Sequence, residues 1–257
     1  MRLSIFQSAG GGLDNENRFS RLRDYIADIE KSDLVLCPEL FASGYNVGDE
    51  LISQAEASTG PTFERMAAIA KEFDIAIVYG YPEQGDNCLY NSAAFVSANG
   101  DLIANHRKQL NSPGSFEEDY FTPGNLPSMV EYQDWQIAIL ICYEVEFPEA
   151  VRNAARAGAQ LVLVPTALVD QWDVVASRVV PARAFENGLW LAYANHAGHE
   201  NGFDYLGGSK IVAPDGVIEA DAGTTEAIIS TTITSDRVIA AQQRLPYLRD
   251  YTKYNNQ

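Results

Sequence analysis

Short apolar runs, each long enough for one strand, recur along this chain from Arg2 to Ile218, and stretches with helical spacing lie between several of them. That rhythm restricts the fold to the α/β class, because a parallel strand pair needs a long crossover and the crossover is usually a helix. Residues 2–7 alternate and predict a strand. Residues 15–31 place Leu22, Tyr25, Ile26 and Ile29 at helical spacing, which predicts a helix that buries one face. A strand is predicted at 34–37, a helix at 62–73 with Phe63, Met66, Ala67 and Ala70 inward, and a strand at 75–81. Then the rhythm changes. Runs 90–96 and 102–106 flank Asn99-Gly100, a hairpin signal because both residues tolerate positive φ. Further strands are predicted at 136–142, 161–164 and 190–194, and a helix at about 148–157. That helix opens on Pro148, whose missing N–H would have had no partner there. Pro214-Asp215-Gly216 predicts a second hairpin.

The chain has 257 residues, 46% of them hydrophobic, which is enough to bury a large core. No Ser/Gly/Pro-rich linker, repeat or charge block divides it, so residues 1–257 read as one α/β domain with mixed sheets. Two sheets between helix layers would fit. Asp and Glu total 35 against 18 Lys and Arg, a formal net charge of −17. Such a protein repels nucleic-acid phosphates and anionic lipid heads, which leaves a neutral or cationic small molecule as the expected partner. No apolar run approaches the roughly 18 residues needed to cross a membrane. The start, MRLSIFQSAGGG, lacks a signal peptide's basic and apolar regions, and three widely spaced cysteines suggest reduced thiols. These features predict a cytoplasmic protein.

Common catalytic motifs are missing. There is no Gly-x-Ser-x-Gly elbow and no phosphate-binding loop, and Gly10-Gly11-Gly12 lacks the dinucleotide spacing. His106, His196 and His199 form no His-Glu-x-x-His, so His196 and His199 read as hydrogen-bonded rings rather than metal ligands. What remains is a set of polar residues beyond apolar strands, where sheets of this class place their sites. The run at 34–37 leads to Glu39, 102–107 to Lys108, and 137–141 to Cys142. Alone, each has an ordinary reading: a capping acid, a solvated strand-end charge, a small buried hydrophobe. The combination carries the case for chemistry.

The wording of three segments goes further. Leu36-Cys37-Pro38-Glu39-Leu40-Phe41-Ala42-Ser43-Gly44-Tyr45, His106-Arg107-Lys108, and Ile141-Cys142-Tyr143-Glu144-Val145-Glu146-Phe147-Pro148-Glu149 occur in that order, with further landmarks at 79–83, 90–92 and 182–187. Over nearly its whole length the chain resembles the nitrilase superfamily of carbon–nitrogen hydrolases. It looks most like the ω-amino-amide and stereoselective aliphatic amidases, such as 5-aminopentanamidase. The resemblance implies an αββα sandwich, paired into an αββα–αββα dimer, and a Glu39–Lys108–Cys142 triad. It implies no metal and no organic cofactor. It also implies a second carboxylate between the lysine and the cysteine; Glu117 is favoured over Glu118 by its distance from Pro123-Gly124.

The implied activity is hydrolysis of a small linear carboxamide, in one version an ω-amino amide, to acid and ammonia through a thioester. The Tyr143 backbone N–H, just after the nucleophile, is a natural oxyanion donor. A nitrilase, an N-carbamoyl-amine hydrolase and an inactive binding or assembly module stay open as alternatives. Two departures from the family pattern stand out. The usual Lys-x-His-Leu reads Lys108-Gln109-Leu110-Asn111, and acids stand at Glu144 and Glu146, where many relatives carry aspartate and arginine. Glu144 and Glu146 could form a negative pocket wall or pair outward with Arg152 or Arg156. Tyr45, Glu146, Trp172 and His196 are the candidate substrate-binding residues. The tail, about 244–257, is aromatic and apolar through Tyr251 and is expected at a subunit interface in a homodimer or larger assembly.

Overall fold

The computed structural model describes residues 1–125 and 128–255. The first sheet holds β1 (Arg2–Gln7), β2 (Leu34–Leu36), β3 (Ala76–Gln84), β4 (Leu89–Val96), β5 (Leu102–Arg107) and β14 (Ala227–Thr232), in the order β14-β1-β2-β3-β4-β5. Strands β1, β2 and β3 are parallel; the outer pairs are antiparallel. The second sheet holds β6 (Ser128–Tyr132), β7 (Trp135–Ile139), β8 (Leu161–Pro165), β9 (Trp190–Ala194), β12 (Lys210–Val212) and β13 (Ile218–Asp221), in the order β13-β12-β9-β8-β7-β6. A separate hairpin joins β10 (Ala197–Glu200) to β11 (Phe203–Leu206).

Helices α1 (Asn15–Asp28) and α3 (Pro61–Phe73) cover the outer face of the first sheet. Helices α5 (Pro148–Arg156) and α6 (Val180–Asn187) cover that of the second. Short α2 (Glu50–Gln54) and α4 (Glu117–Tyr120) sit in loops, and α7 (Ser235–Arg244) and α8 (Tyr247–Asn255) end the chain. The result is an αββα sandwich. No helix among the described residues is long and apolar enough to cross a membrane.

The period-2 geometry of strands explains why the central strands are apolar throughout. Leu34 and Leu36 enter the core between the sheets, while Val35 faces α1 and α3. Ile137 and Ile139 enter the same core from the second sheet, while Ala138 and Leu140 face α5 and α6. Strands buried on both faces gain from apolar residues at every position, each buried Leu or Ile contributing about 1.5–3 kcal/mol relative to exposure.

Several boundaries differ from the sequence expectation. Helix α1 starts on the Asp14 cap, whose carboxylate accepts the Asn17 N–H at 2.8 Å, but it stops at Asp28 because Ile29 is extended. The strand expected to reach Cys142 ends at Ile139. In the Asn99-Gly100 turn, of these two residues Gly100 alone takes positive φ. The hairpin β10–β11 and the sheet strands β6 and β14 lie outside the strands that the sequence predicts; they are short, partly polar and peripheral.

Candidate active site

Glu39 sits three residues beyond β2, where the backbone leaves the sheet. Its N–H donates to the Thr166 carbonyl at 3.3 Å, which ties this turn to the end of β8 in the other sheet. Leu40 then takes a left-handed φ of 47°. Gly80 on β3 makes room for the turn: a Cβ there would lie 2.3 Å from the Leu40 nitrogen and 2.7 Å from the Pro38 carbonyl. Lys108 follows β5 directly. Its N–H donates to the Asn91 carbonyl at 2.8 Å, and its carbonyl accepts the Gly124 N–H at 2.7 Å.

Cys142 opens a 3-10 turn, Cys142–Glu146, at a φ of 47°. Left-handed backbone at a residue other than glycine is strained and is held only by its surroundings. The turn's first hydrogen bond runs from the Glu144 N–H to the Ile141 carbonyl. The Tyr143 N–H precedes it, and the first N–H groups of a helical turn lack an internal partner.

These residues meet. Lys108 Nζ donates to Glu39 Oε1 at 2.7 Å and to Glu117 Oε1 and Oε2 at 2.8 and 2.7 Å. A third contact, to Ser112 Oγ, is longer at 3.2 Å. Asn91 Nδ2 donates to the same Glu39 oxygen at 2.7 Å, while Glu39 Oε2 is buried without a hydrogen-bond partner. Glu117 also accepts from Tyr45 Oη, from the Ser112 hydroxyl and from the Ser112 N–H. Glu118 points outward and accepts the Gly114 N–H at 2.9 Å. Cys142 adjoins this cluster, close enough for its thiol to feel the charges of Glu39, Lys108 and Glu117. Glu39 and Glu117 are fully buried; Cys142 retains 8% exposure. Of the Glu39, Lys108, Glu117 and Cys142 group, the cysteine is the one that lines the neighbouring cavity, together with Tyr45 and Ser112.

The electrostatics follow from burial and pairing. Burial, with help from the Glu117 charge, pushes Glu39 up to about 7 although Lys108 and Asn91 oppose it. Burial works against the Lys108 charge, but the two carboxylates outweigh it and hold the ammonium more firmly protonated than an ordinary lysine. Burial would raise Glu117 too, yet Lys108 and the Tyr45 and Ser112 donors keep it below the usual carboxylate range. The Cys142 thiol is pushed up by burial and by the Glu39 and Glu117 charges, with Lys108 and Thr166 opposing. At rest the sulfur is a thiol beside a base that titrates near neutrality.

The sulfur faces a cavity of about 600 Å³ lined by Tyr45, Tyr143, Glu146, Trp172 and Phe203 among others. Trp172 stands at its rim, 54% exposed. His196 does not line this cavity. It is fully buried beneath Glu39, its Nε2 2.7 Å from the Glu39 carbonyl, and burial lowers it to about 4. His199 pairs with Asp204 at 2.8 Å, away from His196. Glu144 does not form a pocket wall either, since backbone N–H groups and His106 take its carboxylate. Arg152 and Arg156, its alternative partners, lie over the Tyr251 ring.

The sequence assigns no role to three contributors: Asn91, although it lies in the 90–92 landmark, Ser112 and Phe203. Phe203 was legible in principle, because Asn201-Gly202 is a hairpin signal and both residues adopt positive φ.

A sequence profile of the carbon–nitrogen hydrolase family matches residues 2–243. The chain belongs to that family. It is 42% identical to the "Hydrolase in pqqF 5'region" of Pseudomonas protegens over 95% of this chain and 86% of the relative. It is 31% identical to the "(R)-stereoselective amidase" of a Pseudomonas species, over 97% of this chain and 91% of that protein. Its structure matches that of an amidase from Nesterenkonia sp. AN1 with a TM-score of 0.84 and 33% identity, covering 98% of this chain and 99% of the other. That structure shows the result of Michael addition of acrylamide at the active-site cysteine, and others of the same amidase are complexes with acrylamide or butyramide. As a carbon–nitrogen hydrolase of the nitrilase superfamily, this chain acts on amide C–N bonds.

Proposed function

We propose that this amidase hydrolyses a small linear carboxamide to its acid and ammonia through a thioester on Cys142. The observation that carries the reading is the free Glu39 Oε2 in a site where the thiol is still protonated. A thiol needs a base to become the nucleophile, and Glu39 titrates near the working range. As sulfur attacks the carbonyl carbon, its proton passes to Glu39. The carbonyl oxygen becomes negative between Lys108 Nζ and the Tyr143 N–H. The long Ser112 contact is the one a substrate oxygen displaces from Lys108. Protonated Glu39 then gives its proton to the leaving nitrogen, and ammonia departs. Water, deprotonated by Glu39, opens the thioester. Glu117 orients Lys108 and the leaving group.

Support for a cationic substrate tail comes from Glu146, the carboxylate that lines the cavity. Arg183 Nη2 is bound at 2.7 Å by the Glu146 backbone carbonyl, and aromatic rings stand around the same space. Tyr45, Tyr143 and Trp172 would bound the chain of an ω-amino amide. We also assign residues 1–257 to one domain in a cytoplasmic homodimer. Helix α8 folds back on its own chain, with Phe185 and Tyr247 rings 6.0 Å apart, and leaves Tyr254 largely exposed for a partner. A monomeric sedimentation profile at micromolar concentration counts against the dimer.

The test is ammonia release from a panel of amides, nitriles and ureido compounds. Turnover of amides above the other two is expected; preference for a nitrile or ureido compound reassigns the substrate. Iodoacetamide should label Cys142 faster than Cys37 and Cys88, whereas equal slow labelling favours an inactive module.

A further inference from the structure

We propose that Glu144 is a positioning residue, a carboxylate clamp that fixes Lys108 relative to Cys142; this rests on the roles just assigned to those two. Glu144 lies two residues after the cysteine and is 2% exposed. It faces away from the substrate cavity and borders a separate one of about 440 Å³. Three donors from two distant chain segments meet its carboxylate. The Ile141 N–H, immediately before the nucleophile, donates to Oε2 at 2.5 Å. The Gln109 N–H, immediately after the lysine, donates to Oε1 at 2.9 Å. His106 Nε2, two residues before the lysine, lies 2.9 Å from Oε2.

A carboxylate can only accept, so the ring must present its Nε2–H, and His106 Nδ1 is left buried without a partner. Lys108 is thus gripped on both sides in sequence by the side chain that also caps the strained turn of Cys142. The two segments come from different sheets, and sheet-to-sheet slippage would otherwise change the Nζ–Sγ separation directly.

Glu144→Gln preserves volume but replaces one acceptor by an NH2 group. In either orientation that group confronts an N–H on one of the two segments. The variant should lower kcat by about 10²-fold with little change in KM, as expected when reacting groups are misplaced while substrate affinity is kept. Alkylation of Cys142 by iodoacetamide should slow by about tenfold and its pH profile should move, since thiolate formation depends on neighbouring charges. The thermal midpoint should fall too, since a buried N–H loses its acceptor, so the alkylation pH profile, which a loss of stability alone does not move, is the deciding readout. His106→Gln, which keeps a donor within reach, should lose less in both readouts than His106→Leu.

A folded Glu144→Gln protein with kcat and alkylation profile within about twofold of wild type overturns the clamp. If Glu144→Gln does not fold, the histidine pair decides: equal loss in His106→Gln and His106→Leu overturns it. Alkylation needs no substrate, so the two readings fail separately. A wild type that hydrolyses nothing in the panel, with Glu144→Gln still altering alkylation, sinks the amidase assignment and leaves the clamp standing.

Discussion

Lys108 Nζ donates to Glu39 Oε1 at 2.7 Å, and the second oxygen of that carboxylate is buried with no partner. One oxygen is thereby fixed in place while the other is left available for the proton transfer proposed above. Glu39→Gln retains the fixed oxygen and removes the acceptor's basicity. Its kcat should fall by about 10²–10⁴-fold, the usual contribution of a positioned general base, with folding preserved. Steady-state ammonia release measures this; a loss below about tenfold removes Glu39 from the proton path.

Because Glu39 is pushed up to about 7 by burial, and further by Glu117 against the opposition of Lys108, it is protonated in mildly acidic solution. A protonated Glu39 cannot accept the thiol proton. The kcat/KM profile should therefore rise with pH through about 7 and level off above it. Lys108→Met removes the main influence lowering Glu39, so the rise should move to higher pH in whatever activity survives. A wild-type profile already flat from pH 5 contradicts this.

Asn91 Nδ2 supplies a second donor to Glu39 Oε1, and a donor to the charged form lowers a carboxyl pKa. Hydrogen bonds to charged groups are worth about 1.5–3 kcal/mol, or roughly one to two pH units. Asn91→Leu should shift the ascending limb upward by about that much. A pH-rate series on the variant checks it, and an unmoved limb would show that Asn91 only fills space.

Gly80 tests whether the Glu39 turn is held by close backbone approach. A methyl group at this position meets the Leu40 nitrogen at 2.3 Å, and overpacking of this kind costs about 1–3 kcal/mol. Gly80→Ala should lose that much in urea unfolding and should also lower kcat by displacing Glu39. Unchanged stability and rate together would mean that the turn yields freely.

Much of this architecture was legible because strand and helix periods report burial directly. The run 34–36 is apolar at each position since both faces are covered, and α3 shows its inward Met66, Ala67 and Ala70 in the spacing alone. The tips bearing Glu39, Lys108 and Cys142 were legible as polar ends of such runs. The supporting polar residues were not. Asn91 lies within β4, where its neighbours give no sign that its amide reaches Glu39 across the sheet. His196 follows an apolar strand just as Glu39 and Lys108 do, yet it turns beneath the Glu39 carbonyl instead of into the cavity. Strand-end position marks a polar residue as a candidate; only the packing of the two sheets decides which ends meet.

The remaining question, what the cavity prefers, turns on Glu146. Burial pushes its carboxyl above the usual range while Lys108 and Arg183 oppose this. Bringing an ammonium group alongside would favour the ionised form and add a charge-assisted hydrogen bond, about 1.5–3 kcal/mol. An ω-amino amide should then exceed its uncharged alkyl analogue by about ten- to a hundredfold in kcat/KM. Glu146→Gln should erase most of that ratio while leaving turnover of the alkyl amide near its original value, because the proposed role of this carboxylate is toward the tail and not the reacting carbon. Paired kinetics on the two substrates, in wild type and variant, separate the effects. Equal kcat/KM for both substrates in the wild type would show that the cavity reads size rather than charge.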